Sequence, residues 1–220
     1  MSFQRARSED QIQDRIKEII NATSSIYDSV GYEGLNFSII SEYTKFTRQN
    51  IYKYFRTKDE ILLLILKEDF KSFISDFFKS FKINKLYSLY EITDIWTSRI
   101  IEHERLLSLY GILYTAIEKN VSLESLVESK KEILTSYQQL VNFISQLFPE
   151  ASEDNISNFI SSVLTLACGL YSSTKLSKLQ MEATKLVDEN YTFPDFKKVY
   201  MASFYQQLYC LKHSIEIKLD

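Results

Sequence analysis

A chain of 220 residues with four glycines and two prolines has few places where its backbone can reverse sharply. Ordinary usage is roughly 7% and 5%, and turn-rich sheet architectures draw heavily on both. Long helices with short connections suit this composition, and the apolar residues recur at helical spacing along the chain. The expected fold class is all-α. The length allows one large domain, or a small one followed by a larger one, with ample capacity for a core.

Local signals place the helices. Ser8 and Gln11 form a capping-box pattern, Glu9 and Asp10 complement a helix dipole, and Ile12, Ile16, Ile19, Ile20, Thr23 and Ile26 or Tyr27 share one stripe. Gly31 stands where that helix should end. Asn36 or Ser38 can cap a short second helix carrying Phe37, Ile40 and Tyr43, and Thr47 a third carrying Asn50, Ile51, Tyr54 and Phe55. Thr57 and Glu60 repeat the capping-box pattern ahead of a helix over 58–81, where Leu62, Ile65, Leu66, Phe70, Phe73, Phe77, Phe78 and Phe81 keep helical spacing. Further helices are expected near 86–102 (with Leu86, Leu89, Tyr90, Trp96 and Ile100), 104–119, 122–147, Ser152 to about Leu179, and Pro194 to about Ile217. Lys185 to Phe193 is the expected flexible segment. No fixed repeat and no linker is visible, so a domain boundary at 57/58 divides residues 1–57 from 58–220, with helix 58–81 shared.

Charge is unevenly placed on this mildly acidic chain of net charge −3. Residues 43–58 carry Lys45, Arg48, Lys53, Arg56 and Lys58 with no acidic residue, which suits a polyanion partner. Two short helices joined by a tight turn, the second cationic and capped by a hydroxyl, make a helix-turn-helix, whose second helix presents its N-terminal residues to the major groove. Ile40, Phe46, Ile51 and Phe55 fall where the two helices must meet. Arg48, Gln49, Asn50 and Lys53 then point outward; Arg and Lys suit guanine, while Gln and Asn suit adenine. Tyr52, Tyr54, Lys58 and the amides at the helix start near Thr47 can donate to phosphates.

Other chemistries are poorly supplied. Scattered glycines make no phosphate loop, there is no Gly-x-Ser-x-Gly, and His103 and His213 have no partner at metal-ligand spacing, so neither catalysis, a metal nor another cofactor is expected. His103, between Glu102 and Glu104, reads as a solvated side chain. Cys168 and Cys210 read as buried free thiols. The N-terminus has no signal peptide, and the longest apolar stretch, near Val163 to Tyr171, falls short of the ~20 residues of a membrane span, so a cytoplasmic protein with no membrane partner is expected. The rival to a DNA reader is a helical adaptor that binds only protein, since a cationic stretch is often a solvated face.

The stretch NFSIISEYTKFTRQNIYKYFRTKDEIL resembles the helix-turn-helix of TetR-type transcriptional regulators, anchored by Ile40, Thr47, Ile51, Tyr52, Tyr54, Phe55, Lys58 and Asp59-Glu60, after an amphipathic helix ending in Gly31. The likeness covers about residues 8–66. It implies that Ser38, Arg48, Gln49, Asn50 and Lys53 face bases and that Tyr52, Tyr54 and Lys58 contact phosphates. Thr44-Lys45 replaces the family's usual Ala-Gly, and Gln49 its usual Gly. A left-handed non-glycine residue there would cost about 1 kcal/mol or more, so a rearranged turn is expected.

The same resemblance implies a larger C-terminal helical domain that binds a small molecule and dimerises through its last two long helices, giving a homodimeric repressor that a ligand releases from a palindromic operator. Phe159, Val163, Ala167 and Leu170, with Phe204, Leu208 and Leu211, form stripes that suit either a core or a two-fold interface. Trp96, His103, Tyr110, Tyr114, Tyr137 and Tyr171 are candidates for a pocket taking an amphipathic or aromatic ligand, and equally suit a plain core.

Overall fold

The computed structural model describes residues 9–215; the Ser8 cap and the expected helix end at Ile217 lie outside the described residues. Ten α-helices follow in chain order, and no strand occurs among the described residues. They are α1 Glu9–Gly34, α2 Phe37–Glu42, α3 Arg48–Ile51, α4 Lys58–Lys79, α5 Leu89–Glu102, α6 Glu104–Gly111, α7 Leu123–Leu147, α8 Glu153–Thr174, α9 Lys178–Val187 and α10 Phe196–Lys212, with a 3-10 helix at Ile117–Asn120.

The chain forms two compact units. One comprises residues up to Glu68 together with Ile112–Lys131; the other comprises Asp69–Gly111 and Glu132 onward. The boundary expected at 57/58 follows the end of the helix-turn-helix, whereas the contacts group the start of α4 and a later segment with it.

In the first unit, α1 changes direction at Gly31, whose φ of 68° is a left-handed conformation suited to glycine. Ile19, Ile26 and Tyr27 of its stripe are buried, whereas Ile12 remains 38% exposed near the start of the helix. Asn36, rather than Ser38, caps α2, accepting from the Ser38 and Ile39 amides at 2.9 and 3.1 Å. Leu35, Ile40, Phe46, Ile51, Phe55 and Ile61 close the core beneath α2 and α3.

The second unit is built on aromatic packing. Trp96 stacks on Phe204 (5.2 Å between centroids) and meets Phe73 and Phe77 edge-on at 5.2 and 5.0 Å. Its indole N–H donates to the Tyr200 hydroxyl at 2.8 Å, which donates onward to the Val163 carbonyl at 3.0 Å. All five side chains Trp96, Tyr200, Phe73, Phe77 and Phe204 are fully buried. Burying a large apolar side chain stabilises by about 1.5–3 kcal/mol, so this cluster is a principal source of the unit's stability. α8 lies against α6 and α10. By length and composition α8 is apolar enough to cross a membrane, contrary to the expectation of no such segment, yet Ile156, Ile160, Val163, Leu164 and Ala167 are buried within the chain.

Several helix ends differ from expectation, each for a local reason. α5 begins at Leu89 because Ser88 and Glu91 form a full capping box, which leaves Leu86 outside the helix and 97% exposed and Tyr90 63% exposed. α6 stops at Gly111, followed by wide turns in which the Ile117 and Glu118 amides reach back five residues to Ile112 and Leu113. The helix expected from Ser152 to Leu179 ends at Thr174. A separate capping box, Ser177 with Gln180, starts α9. The loop expected at 185–193 is therefore partly helix, and Lys185 Nζ donates to the Glu189 and Tyr191 carbonyls at 2.9 and 2.7 Å. The last helix ends at Lys212, with Ser214 at a positive φ of 48°.

Candidate nucleic-acid interface

The connection between α2 and α3 is organised by Thr44, which donates to the Ile40 carbonyl at 3.0 Å and accepts from the Phe46 amide at 3.3 Å. The non-glycine residues with positive φ among those described are Asn84 and Ser214, so Thr44, Lys45 and Gln49 carry no left-handed strain. A hydroxyl thus supplies hydrogen bonds across a turn that uses no left-handed residue.

Thr47 caps α3 by accepting from the Asn50 amide at 3.3 Å. The helical hydrogen bonds stop at Ile51 and continue as turns to Phe55. Of the five residues expected to face bases, Ser38, Arg48, Gln49 and Lys53 are exposed and Asn50 is half-buried. Two are already oriented, since Arg48 Nη1 donates to Ser38 Oγ at 3.2 Å and Lys53 Nζ donates to Asn50 Oδ1 at 2.9 Å. A guanidinium held from α2 and an amine held by Asn50 of α3 lose less side-chain freedom on binding a partner. Tyr52 is 59% exposed, and its ring meets Phe37 edge-on at 4.7 Å; Tyr54 is half-buried.

Lys58 is turned inward. Its ammonium donates to the Tyr32 and Leu35 carbonyls at 2.6 and 3.1 Å and lies 3.9 Å over the Tyr32 ring, so it closes the end of α1 where a phosphate contact was expected. Tyr32, which no sequence signal picked out, completes this corner with Asp59: the Tyr32 hydroxyl donates to Asp59 Oδ1 at 2.9 Å. Burial, and then the hydrogen bond to Asp59, push the Tyr32 phenol up to about 12, and burial also raises the Asp59 carboxyl above its usual range. Glu60 reaches back to the Arg56 amide at 2.7 Å and so anchors the last residues of the reading segment to α4.

Two family models match this chain. The one for bacterial regulatory proteins of the tetR family matches residues 19–65, and the tetracyclin repressor-like C-terminal domain matches residues 67–208. The chain belongs to the TetR family. This TetR-family chain is therefore a DNA-binding transcription regulator and not an enzyme. Its fold is similar to that of the fatty acid degradation regulator FadR from Bacillus halodurans, at 15% identity over 93% of this chain and 96% of that one, with a TM-score of 0.53. No curated protein matches the chain significantly.

The residues proposed for a ligand pocket scatter in the TetR-family structure. Trp96 is core, with its one donor satisfied by Tyr200. His103 is not solvated between its two glutamates: only 13% of its side chain is exposed, Nε2 lies 3.5 Å from Asp76, and its ring meets Phe73 edge-on. Tyr110 is half-buried. Tyr114 belongs to the first unit and is 59% exposed. Tyr137 donates to the Ser157 carbonyl at 2.7 Å, binding α7 to α8. Tyr171 lines a cavity of about 200 Å³ with Ile101, Leu107, Thr174, Phe196 and Lys197, and its hydroxyl donates to Glu104 at 3.1 Å. Cys168 is a buried thiol, pushed up to about 12 by desolvation, whereas Cys210 is half-buried.

The residues expected at a dimer interface need correction. Phe159, Val163, Ala167, Phe204, Leu208 and Leu211 are buried within the single chain where α8 meets α10, and Leu170 is half-buried. Apolar stripes on two neighbouring helices cover each other first. The outward faces of the same helices carry Asn158, Ser162, Thr165 and Gly169 on α8 and Gln206 and Tyr209 on α10. An open groove of about 590 Å³ between them is lined by Asn155, Asn158, Ser162, Gln206, Gln207 and Cys210, among others.

Proposed function

We propose that this TetR-family regulator acts as a cytoplasmic homodimeric repressor that reads a palindromic operator and is released from it by a small molecule. The observation that carries the reading is the set of exposed Arg48, Gln49 and Lys53 with half-buried Asn50, on and beside α3, within a stretch free of acidic residues. Arg48 and Lys53 read guanine, and Gln49 and Asn50 read adenine. Tyr52 and Tyr54 donate to phosphates, and the exposed cations Lys45 and Arg56 take the role first expected of Lys58.

A second copy docks on the outward faces of α8 and α10, where Gly169 leaves open space and the amides of Asn158 and Gln206 can pair across a two-fold axis. Paired half-sites one helical turn apart require roughly 34–36 Å between recognition helices. α4 contributes residues to both compact units, so a ligand that favours one tilt of it changes that spacing. The ligand acts through its differential affinity for the two states, typically about 1–3 kcal/mol. Equal ligand affinity with and without operator would sink this mechanism.

The test is fluorescence anisotropy of the full chain on labelled duplex from upstream of its own gene. Saturable binding should resist random competitor and weaken with salt by a log–log slope of about 0.9 per neutralised phosphate. Arg48→Ala and Lys53→Ala should lose discrimination between operator and competitor. Equal binding by wild type and both variants would remove α3 as the reader.

A further inference from the structure

The first compact unit is discontinuous in sequence: Ile112–Lys131 belongs to it, although the intervening Asp69–Gly111 does not. This later segment is anchored by apolar burial, with Ile117 fully enclosed and Leu113 4% exposed. Its 3-10 helix ends on the residue that opens α4. Thr57 Oγ1 donates to the Asn120 carbonyl at 2.8 Å while accepting from the Glu60 amide at 3.2 Å, so one hydroxyl both caps α4 and holds the segment. The Asn120 side chain donates to the Ala116 carbonyl at 3.0 Å and also reaches the Tyr32 hydroxyl. Tyr32 in turn donates to Asp59 and lies beneath Lys58. Glu118 pairs with Lys130 at 2.6 Å, which ties the 3-10 helix to α7.

Three consecutive residues, Thr57, Lys58 and Asp59, thereby join the end of α1 and the later segment to the first turn of α4. They follow directly on Phe55 and Arg56, which close the reading segment. Apolar contacts alone would hold these pieces together but would let them slide. Directional bonds, exposed between Thr57 and Asn120 and part-buried at Lys58 and at an Asp59 only 4% exposed, set their register.

We propose that residues 112–120 are a brace for the reading helix, with Thr57 and Tyr32 as positioning residues, so that duplex bound at α3 and order in the brace support each other. This rests on α3 being a duplex reader. Because coupling between sites is reciprocal, whatever loosens the brace weakens duplex binding by the same factor.

Hydrogen exchange on the full chain, with and without a mixed-sequence duplex of about three helical turns at low salt, tests the link. In wild type, duplex should slow exchange over both 48–55 and 113–120, the latter by about tenfold, within the range usual for coupled sites. Thr57→Asp keeps an acceptor for the Glu60 amide but cannot donate to Asn120. It should retain the slowing over 48–55 and lose it over 113–120. Thr57→Ser should behave as wild type. Tyr32→Phe keeps the ring under Lys58 and removes the hydroxyl, and it should repeat the loss independently of any effect on the cap. The brace is overturned if wild type slows only over 48–55, or if Thr57→Asp and Tyr32→Phe both keep the slowing over 113–120. Slowing at neither place in wild type would instead overturn the reading of α3, and the brace with it.

Discussion

The surface around α3 in the first unit and the aromatic core of the second use tyrosine and its aromatic relatives in opposite ways. In the first, Tyr52 is mostly exposed, Tyr54 is half-buried, and half-buried Tyr32 donates its hydroxyl to Asp59. In the second, Trp96 and Tyr200 are fully buried with Phe73, Phe77 and Phe204, and their polar atoms are satisfied by each other and by one carbonyl. The surface around α3 displays its chemistry, and the Trp96 cluster encloses it. A substitution in the first should therefore alter recognition with little change in stability, and one in the second should do the reverse.

The largest effect should come from Trp96→Ala, which removes a fully enclosed side chain and should destabilise by about 3–5 kcal/mol in denaturant unfolding. A loss below about 1 kcal/mol would show that the aromatic cluster is not the keystone of the second unit. Tyr200→Phe should be milder, about 1–3 kcal/mol, because it leaves the Trp96 N–H buried without an acceptor. Arg48→Ala marks the opposite pole. It should leave the unfolding midpoint nearly unchanged, within about 0.5 kcal/mol, while removing about 1–3 kcal/mol of discrimination at one base pair. A large stability loss there would break the contrast.

A finer contrast lies in two carboxylates. Burial raises Asp59 in the first unit, so its contribution to stability is fully present below the ordinary carboxylate range and is lost as pH rises through the raised value. Asp59→Asn, which still accepts from Tyr32, should therefore melt higher than wild type at neutral pH, with the gap closing in acid. Glu91 in the second unit has the opposite sign. Its hydrogen bond from Lys85, then the Ser88 amide and hydroxyl, lower it to about 2, so its contribution is present above the ordinary range and is lost as pH falls toward about 2. Glu91→Gln should flatten that part of a melting-temperature profile. The smallest effect is expected from surface pairs such as Lys175 with Glu104, worth about 0–1 kcal/mol and weaker in salt; a double-mutant cycle measures it.

Much of the first unit was legible because its determinants are close in sequence. Asn36, Thr47 and Thr57 cap helices whose amides lie two or three residues away, and Ile40, Phe46, Ile51 and Phe55 meet within one short motif. The outward set at α3 then follows by subtraction. Two starts were equally readable yet unexpected: the Ser88-x-x-Glu91 and Ser177-x-x-Gln180 patterns open α5 and α9. Lys58 illustrates the limit, since its cation looked available to phosphate until the end of α1 folded beneath it.

The helical class, the cationic reading motif and its family resemblance were determined by the amino-acid sequence, because helical periodicity, capping and charge density act within a few residues. Only the tertiary structure decided which face of α8 and α10 is core, that Trp96 is a buried donor to Tyr200, and that Asn120 holds Thr57 from 63 positions away. An apolar stripe states that it must be covered and not by what; the cover depends on helices distant in sequence, and their approach leaves no local mark.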